Sequence, residues 1–256
     1  MPKDQGGDPD RVLALLWRRH RPLPERPTGP GRPPRLSVDG LVRAAVDIAD
    51  ADGLAKLTMG RVAAALDVGT MTLYSYVRAK AELVELMVDE VLTDRALPGP
   101  GEPRPGPWRE QVDLYAERTL AMYRRHPWMR HVPAARPPAG PGTMAEREYV
   151  LSTLTGLDLP PMQRNLAALA ISTFVRSAAM VEVEDEELER TSGQSGDAWW
   201  AARGSLWEDY FDVERHPSMT AVWNAGGFEQ TTCDQTAGTR SYGLDRLLAG
   251  IEASVR

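Results

Sequence analysis

The sequence predicts an all-α fold in which a small helix-turn-helix domain precedes a larger helical domain. Apolar residues recur at helical spacing over most of the 256 residues, whereas no segment shows the alternation of apolar and polar residues that is typical of strands. Stretches rich in Pro and Gly lie at residues 1–36 and 98–107. They divide the chain into an arm (1–36), a compact unit (37–97) and a C-terminal helical domain (98–256).

The arm is basic, although the chain as a whole is acidic. Residues 11–35 contain seven arginines and a single acid, Glu25, while the formal net charge of the whole chain is −6. This composition buries little apolar surface, so we expect a mobile arm with one helix-capable stretch at 11–19. By contrast, residues 182–189 contain six acids and no base. The asymmetry favours a protein that contacts a polyanion such as DNA with one end only.

Four helices are predicted within residues 37–97. Each has a start or stop signal beside its apolar face, because Ser and Thr side chains cap helix starts and Gly ends helices. The predicted features are a Ser37 cap, a helix end at Asp52-Gly53, a Thr58 cap, a turn at Asp67-Val68-Gly69, a Thr70 cap and a last helix from Lys80 to Leu92. Two short helices joined by a tight turn and supported by two others form a helix-turn-helix. The pattern by itself fits a small helical bundle of another function equally well.

The C-terminal domain is predicted to contain six further helices. They are Trp108–Arg125, a helix that starts near Thr143 with a capping box to Glu146, a helix from Met162 to about Val183, Trp199–Phe211, Met219–Trp223 and Gln235–Ser254. In the third of these helices the spacing predicts a buried face formed by Leu166, Leu169, Ala170, Thr173 and Phe174. The acids at 182–189 are expected in a solvated loop or helix end.

Composition argues against several classes of protein. The single Cys233 cannot build a disulfide framework, and the first residues lack a secretory signal. No apolar run approaches the roughly 18 residues that a membrane helix needs. We therefore expect a soluble, cytoplasmic protein with no membrane contact.

Two runs of residues in the compact unit resemble a known family. These runs, Leu57–Val68 and Thr72–Lys80, closely resemble the DNA-binding domain of the TetR family of transcriptional regulators. The C-terminal run Tyr242–Glu252 is similar to the last helix of the subgroup related to tetracycline repressor. The resemblance implies a homodimeric repressor that binds double-stranded operator DNA and releases it when a small molecule, unidentified here, binds the C-terminal domain.

The resemblance also implies which side chains meet DNA. They are Thr70, Met71 and Thr72 at base edges, Tyr74, Tyr76 and Lys80 at phosphates and the adjoining groove, and Arg61 at a phosphate or a base. Threonine offers a hydroxyl and a methyl group to bases, and a tyrosine hydroxyl suits a phosphate oxygen. Three positions depart from tetracycline repressor or its relatives: Gly60 replaces a guanine-reading arginine, Asp67 replaces the usual turn glycine, and Tyr76 replaces a histidine. The operator sequence is therefore expected to differ.

The effector pocket and the dimer interface are predicted more coarsely. The expected pocket residues are Trp128, His131, Tyr149, Phe174 and Arg176, with a packed core as the alternative role of the aromatic ones. His131 falls on a magnesium-ligating histidine of tetracycline repressor, but Ala96 and Asp113 replace other expected contacts, so neither a metal, a cofactor nor tetracycline is assigned. The expected dimer interface is the apolar stripe Leu244, Leu247, Leu248 and Ile251.

Two rival functions remain open at this stage. A helical-bundle enzyme would need a nucleophile and a base, but Cys233 and the histidines His126, His131 and His216 lack the local signature of a dyad. An effector-binding protein without DNA binding would not need the basic arm, Tyr74 or Lys80. We therefore expect a regulator and not an enzyme.

Overall fold

The computed structural model describes residues 8–21 and 36–255. These residues form helices and contain no strand, so the all-α prediction is confirmed. The α-helices are α1 (Pro9–Leu16), α2 (Val38–Asp52), α3 (Met59–Ala65), α4 (Thr70–Tyr74), α5 (Lys80–Asp94), α6 (Trp108–Arg125), α7 (Pro141–Thr153), α8 (Pro161–Ser192), α9 (Gly196–Ala201), α10 (Pro217–Asn224) and α11 (Thr232–Ala253). Short 3₁₀ segments lie at Leu54–Lys56 and Pro127–His131, and a π-helical turn lies at Leu206–Tyr210. The chain divides into two compact units between Leu169 and Ala170, within α8.

The described part of the basic arm is folded. Asp8 caps α1, and Leu15 and Leu16 on this helix are buried where it packs against α5. The expectation of a mobile arm is therefore wrong for residues 8–21, because two adjacent leucines are enough to anchor a short helix on a neighbouring one. Residues 1–7 and 22–35, with the remaining arm arginines Arg26, Arg32 and Arg35, lie outside the described residues.

Helices α2 to α5 form the helix-turn-helix domain that the caps predict. The hydroxyls of Ser37 and Thr58 accept backbone N–H groups three residues ahead at 3.0 and 3.2 Å, so both predicted caps are confirmed. The predicted Thr70 cap is wrong: Gly69 is the N-cap, and Thr70 is already the first residue of α4. The shift by one residue leaves the Thr70 side chain on the exposed surface of the helix.

Leucines from each part of this domain form its core. Leu41, Leu57, Leu73 and Leu83 have no solvent exposure. Burial of a leucine side chain contributes about 1.5–3 kcal/mol relative to exposure, so these contacts fix the position of the short α4 against its neighbours. Helix α4, with five residues, is too short to be stable by itself.

Helix α7 begins earlier than predicted. It starts at Pro141, which suits a first helical position because its missing N–H has no intrahelical partner there. Thr143 lies inside the helix and its buried hydroxyl has no hydrogen-bond partner among the described residues. Glu146 instead accepts hydrogen bonds from Arg95 and Tyr115. The predicted capping box between Thr143 and Glu146 is therefore wrong.

Helix α8 is longer than predicted and buries a different face. Its buried residues are Ala168, Ile171, Val175, Ala179, Glu182 and Val183. Of the predicted face, Leu166, Leu169 and Thr173 are exposed, and Ala170 and Phe174 are half-buried. The acids at 182–189 continue the helix towards its end at Ser192, so the helix-end alternative is confirmed, but Glu182 is buried and not solvated. Helix α8 has apolar residues on more than one face, so spacing does not reveal which face the chain itself covers.

In the second unit, α11 packs against α8 through a close contact and an ion pair. A Cβ atom at Gly243 would lie 2.4 Å from Cζ of Phe174, so only glycine allows this approach. Arg240 of α11 also forms an ion pair with Glu182 of α8 at 2.9 Å. Phe174 is thus a packing residue between two helices, not a free ring in a pocket.

Residues 191–243 contain no buried residue. This segment, which we call the aromatic segment, nevertheless carries rings in mutual contact: Trp199, Trp200, Trp207, Phe211, Trp223 and Phe228. Trp207 and Trp223 lie 5.4 Å apart between ring centroids, and Trp223 is 55% exposed. Contiguous exposed apolar surface of this kind marks an interaction site in soluble proteins.

Candidate DNA-binding site and its connections

The turn between α3 and α4 adopts the conformation expected from its sequence. Asp67 has a φ of 51°, in the left-handed region that Asp visits more readily than most residues. This conformation reverses the chain in four residues, so that α4 follows α3 at once. The replacement of the usual turn glycine is therefore accommodated without loss of the turn.

Helix α4 separates an inward and an outward face. Leu73 and the following Val77 are fully buried, whereas Thr70, Met71, Thr72 and Tyr74 are exposed. Met71 is 79% exposed, which is unusual for a methionine on a helix and leaves it free to contact another molecule. All four outward side chains coincide with residues predicted to meet DNA.

The basic residues of the site are held by contacts within the protein. Arg61 pairs with Asp52 and also donates to the Lys56 carbonyl at 3.3 Å. The hydrogen bond and charge of Arg61 keep the pKa of the Asp52 carboxyl below its usual range. Lys80 is exposed, and its Nζ donates to the Leu54 carbonyl at 3.2 Å. Arg61 and Lys80 are accessible, but each has to exchange an internal partner for a DNA partner.

Two arginines in the turn after α1 are also occupied. Arg18 and Arg19 both pair with Asp39 of α2 and Glu90 of α5. Burial alone would raise the pKa of Asp39, but the hydrogen bonds and charges of the two arginines outweigh it and lower the pKa. Arg18 and Arg19 would therefore have to leave acidic partners before either could contact DNA.

A first buried connection joins α2 to the segment after α6. Nδ1 of His126 lies 2.8 Å from Oδ1 of Asp50, and Trp128 Nε1 donates to the same oxygen at 2.7 Å. His126 is 3% and Trp128 is 2% exposed. The Asp50 carboxylate thus holds two buried side chains, and these contacts fix the end of α2 against the segment after α6.

A second connection surrounds Glu146 of α7. Arg95, at the end of α5, pairs with it at 2.8 Å, and the hydroxyl of Tyr115 donates to it at 2.6 Å. Arg95 also donates to the Thr119 hydroxyl at 3.3 Å. Because Arg95 and Glu146 are almost fully buried, loss of either one leaves an uncompensated charge inside the protein.

A third connection uses Asp89 of α5 to cap α7. The Asp89 carboxylate accepts the backbone N–H of Thr143 at 3.2 Å, at the positive end of the α7 dipole. A Cβ atom at Gly140 or Gly142 would lie 2.3 Å from Asp89 atoms, so both glycines are needed for this approach. Burial raises the pKa of Asp89, although the N–H groups of Thr143 and Gly142 oppose the shift.

Three of the residues predicted to line an effector pocket, Trp128, His131 and Tyr149, lie in the first unit. Trp128 and Tyr149 are fully buried core residues with internal hydrogen bonds, to Asp50 and to the Gln111 carbonyl at 2.9 Å. His131 is exposed, and no cluster of three metal-ligating side chains occurs among the described residues. The core alternative describes Trp128 and Tyr149 correctly.

One cavity of the first unit lies between the end of α5 and α6. It has a volume of about 150 Å³ and is lined by Val91, Asp94, Arg95, Arg118, Ala121, Met122, Arg125 and His126. Drug-sized ligands occupy pockets of roughly 300–1,000 Å³, so this cavity by itself holds only a smaller group.

The buried acids escaped the sequence analysis, although one signal for them exists. Glu82 and Asp89 lie seven residues apart on α5, on the same side as the buried Leu86. Charged residues on an apolar helix face are almost never buried unless they are paired. That position indicates a partner, but the spacing gives no means to identify Arg11 or the start of α7.

A helix-turn-helix with exposed recognition side chains, linked through buried polar contacts to further helices, is the organisation of a DNA-binding transcriptional regulator. The family description "Tetracyclin repressor-like, C-terminal domain" matches residues 100–255. The transcriptional repressor DrrR1 of Streptomyces coeruleorubidus is 37% identical over 249 residues, which cover 97% of this chain and 87% of that protein. The chain therefore belongs to the TetR family, in the subgroup with a C-terminal domain like that of tetracycline repressor.

Solved structures give the same result. Apo ActR of Streptomyces coelicolor superimposes with a TM-score of 0.69 at 27% identity, over 87% of this chain and 97% of that one. ActR in complex with actinorhodin superimposes with a TM-score of 0.67 at 28% identity, over 85% of this chain and 97% of that one. The predicted family and function class are thus confirmed.

Proposed function

We propose that this regulator represses transcription by binding operator DNA through α4, and that a small molecule bound to its C-terminal domain releases the DNA. The observation that carries the proposal is the outward face of α4, where Thr70, Met71, Thr72 and Tyr74 are all exposed beside the buried Leu73. We infer that the protein acts by binding and not by catalysis, in the cytoplasm.

The residues predicted to meet DNA divide into two roles. Thr70 and Thr72 read base edges, with Met71 packing in the groove, while Tyr74, Tyr76 and Lys80 hold phosphates. Arg61 joins the phosphate contacts once it leaves Asp52. The first set decides which sequence is bound, and the second set contributes affinity that falls with salt.

A selection from random DNA tests this division. Thr70→Ala and Thr72→Ala are expected to change the preferred base pairs, at roughly 1–3 kcal/mol for each lost contact. Lys80→Ala is expected to weaken all sites alike and to reduce the slope of log affinity against log salt by about one unit. If both threonine variants recover the wild-type site unchanged, α4 does not read the sequence.

The functional unit is a homodimer in this proposal, but its interface differs from the predicted stripe. Leu244, Leu248 and Ile251 are buried within the chain and Leu247 is half-buried, so they leave no exposed stripe for a partner. We place the interface instead on the exposed apolar residues of α8 and on the aromatic segment. The α8 residues in the second unit are Val181 and Leu188, which are seven residues apart and therefore share one side of the helix.

The exposed side of α8 also explains its apolar composition. Among the described residues, α8 is the one helix whose length and composition would allow it to cross a membrane. In a transcriptional regulator an exposed apolar helix face is more simply covered by a second copy of the chain. Sedimentation at micromolar concentration without detergent tests this: a monomer would contradict the proposal.

ActR suggests the first compound to test as an effector. Because ActR has been solved with actinorhodin, we propose to add that compound to the complex of this protein with DNA from its own promoter. The seven tryptophans of the chain provide a fluorescence signal for binding. Release of DNA together with a change in emission supports ligand control. Unchanged DNA binding despite a change in emission would exclude actinorhodin as an inducer.

A further inference from the structure

The loop that follows the recognition helix needs support from outside the helix-turn-helix. This loop, Ser75–Ala79, joins α4 to α5 and leads directly to Lys80. Its backbone offers a carbonyl at Tyr76 and an N–H at Arg78, and both find side-chain partners. The position of Tyr76 and Lys80 relative to α4 depends on the conformation of these few residues.

Glu82, on the first turn of α5, holds one end of this loop. Its carboxylate accepts the N–H of Arg78 and forms an ion pair with Arg11 of α1. The Glu82 side chain is only 3% exposed, so without a cation it would be a charge buried at high cost. Burial and the charge of Glu82 together raise the pKa of the neighbouring Glu85, which marks this side of α5 as acidic.

Arg11 holds the loop directly as well. Its Nη2 donates to the Tyr76 carbonyl at 2.7 Å, while Nη1 binds Glu82. A guanidinium has the planar, forked geometry for two such contacts, whereas a lysine ammonium does not. The Arg11 side chain is 23% exposed, so most of it faces the protein.

We propose that Arg11 is a positioning residue for DNA recognition, which sets the Ser75–Ala79 loop through Glu82 and the Tyr76 carbonyl. The inference rests on the proposed role of Tyr76 and Lys80 in DNA binding. It assigns α1 a function within the protein: the helix fixes the exit of the recognition helix and does not itself contact a phosphate through Arg11. Arg11 lies outside the segment that resembles the family's DNA-binding domain.

Operator affinity across a range of salt concentrations separates positioning from direct contact. Arg11→Met is expected to weaken binding about tenfold, within the range typical of coupling between separate sites, with an unchanged salt slope. A phosphate contact would instead reduce the slope by about 0.9. Arg19→Met is the matched control, since it removes ion pairs of the turn after α1 with Asp39 and Glu90 but no contact with the loop, and we expect less than about a twofold change. A reduced slope in Arg11→Met, or equal effects of the two changes, would overturn the proposal.

A double variant covers the case in which Arg11→Met fails to fold. In Arg11→Met/Glu82→Gln the buried position is neutral and its amide oxygen still accepts the Arg78 N–H, so we expect stability to recover. Operator affinity should stay below that of the wild type, because the hydrogen bond from Arg11 to the Tyr76 carbonyl is lost. Wild-type affinity in the folded double variant would overturn the proposal.

Hydrogen exchange in the free protein gives a readout that needs no DNA. The Arg78 amide should exchange faster in Arg11→Met and at the wild-type rate in Arg19→Met. An unchanged rate in Arg11→Met would show that Arg11 does not hold the loop. If the wild type binds no operator at all, the proposed function fails, and the exchange rates still decide whether α1 positions the loop.

Discussion

The helix-turn-helix domain and the aromatic segment use apolar side chains in opposite ways. In the domain, Leu41, Leu57, Leu73 and Leu83 have no exposed surface, whereas Trp223 in residues 191–243 remains 55% exposed. The domain has a complete core of its own. The aromatic segment has rings in contact with one another but no buried residue, so it leaves apolar surface exposed.

In our proposal, the first region depends only on packing within one chain, whereas the second depends on a partner chain. A rigid recognition helix depends on packing inside one chain, because α4 is too short to persist alone. Spacing two recognition helices to match two half-sites depends on a second copy. The two regions should therefore respond differently to substitution and to protein concentration.

The largest expected effect comes from the core of the domain. Leu73→Ala should lower the free energy of unfolding by about 2–5 kcal/mol, because it leaves a cavity beneath α4. Met71→Ala, two residues earlier on the same helix but 79% exposed, is the control and should change it by less than about 0.5 kcal/mol. Urea denaturation of both variants measures this. Similar losses would mean that α4 is not anchored through Leu73.

The next effect tests whether the exposed apolar side of α8 forms the dimer interface. Val181→Glu/Leu188→Glu places charges on the exposed side of α8 and should weaken dimerisation at least about hundredfold, since like charges facing each other cost several kcal/mol. Sedimentation should detect monomers, and tryptophan emission should shift to the red if the partner covers the aromatic segment. Glu189→Gln, an exposed change next to this face, is the control. Dimers of unchanged affinity in the charged variant would move the interface elsewhere.

Local signals explain what the sequence predicted correctly. The Ser37 and Thr58 caps and the Asp67 turn depend on contacts within about four residues, and all three are present in the structure. The outward side chains of α4 also follow from spacing, once Leu73 is placed inside. Much of the candidate DNA-binding site could therefore be predicted from the sequence alone.

The failures share a different cause. The Arg11–Glu82 pair joins residues 71 apart, and the bond from Thr143 to Asp89 joins residues 54 apart, so neither follows from local spacing. The buried side of α8 was misassigned because the helix has apolar residues on both its inner and its outer faces. Spacing identifies apolar faces, but it does not say whether the chain itself or a second molecule covers them.

A smaller effect tests the second unit where it does pack. Gly243→Ala should destabilise the protein by about 1–3 kcal/mol, because the added methyl group would lie 2.4 Å from Cζ of Phe174. Gly250→Ala, on the same helix but with open space around it, should instead stabilise by about 0.5–1 kcal/mol through helix propensity. Thermal unfolding of the two variants decides whether α8 and α11 are in contact as described. Equal shifts would contradict that contact.

The pH dependence of stability tests Asp89 in the first unit. Because the pKa of Asp89 is raised in the folded protein, the folded protein binds a proton that the unfolded protein lacks at pH values between the ordinary and the raised pKa. The associated stability is therefore complete below the ordinary aspartate pKa and is lost as the pH rises through the raised one. Asp89→Asn should remove this loss and flatten the profile in that window, as measured by urea denaturation at several pH values. Asp67→Asn, an exposed change, should leave the profile as in the wild type.

The smallest expected effect concerns Arg61, whose partner Asp52 lies on the protein surface. Asp52→Asn removes the charge that holds Arg61, so the guanidinium is free to reach a phosphate, and operator affinity should rise by no more than about fivefold because exposed pairs are weak and screened. Asp67→Asn removes one acid from the same helix-turn-helix without touching Arg61, and Asn tolerates the left-handed turn conformation as Asp does. Fluorescence anisotropy at low and high salt compares the two. A larger gain and a steeper salt slope in Asp52→Asn than in Asp67→Asn would place Arg61 at the DNA. Equal gains would mean that only the net charge of the domain matters, and the phosphate role of Arg61 would have to be withdrawn.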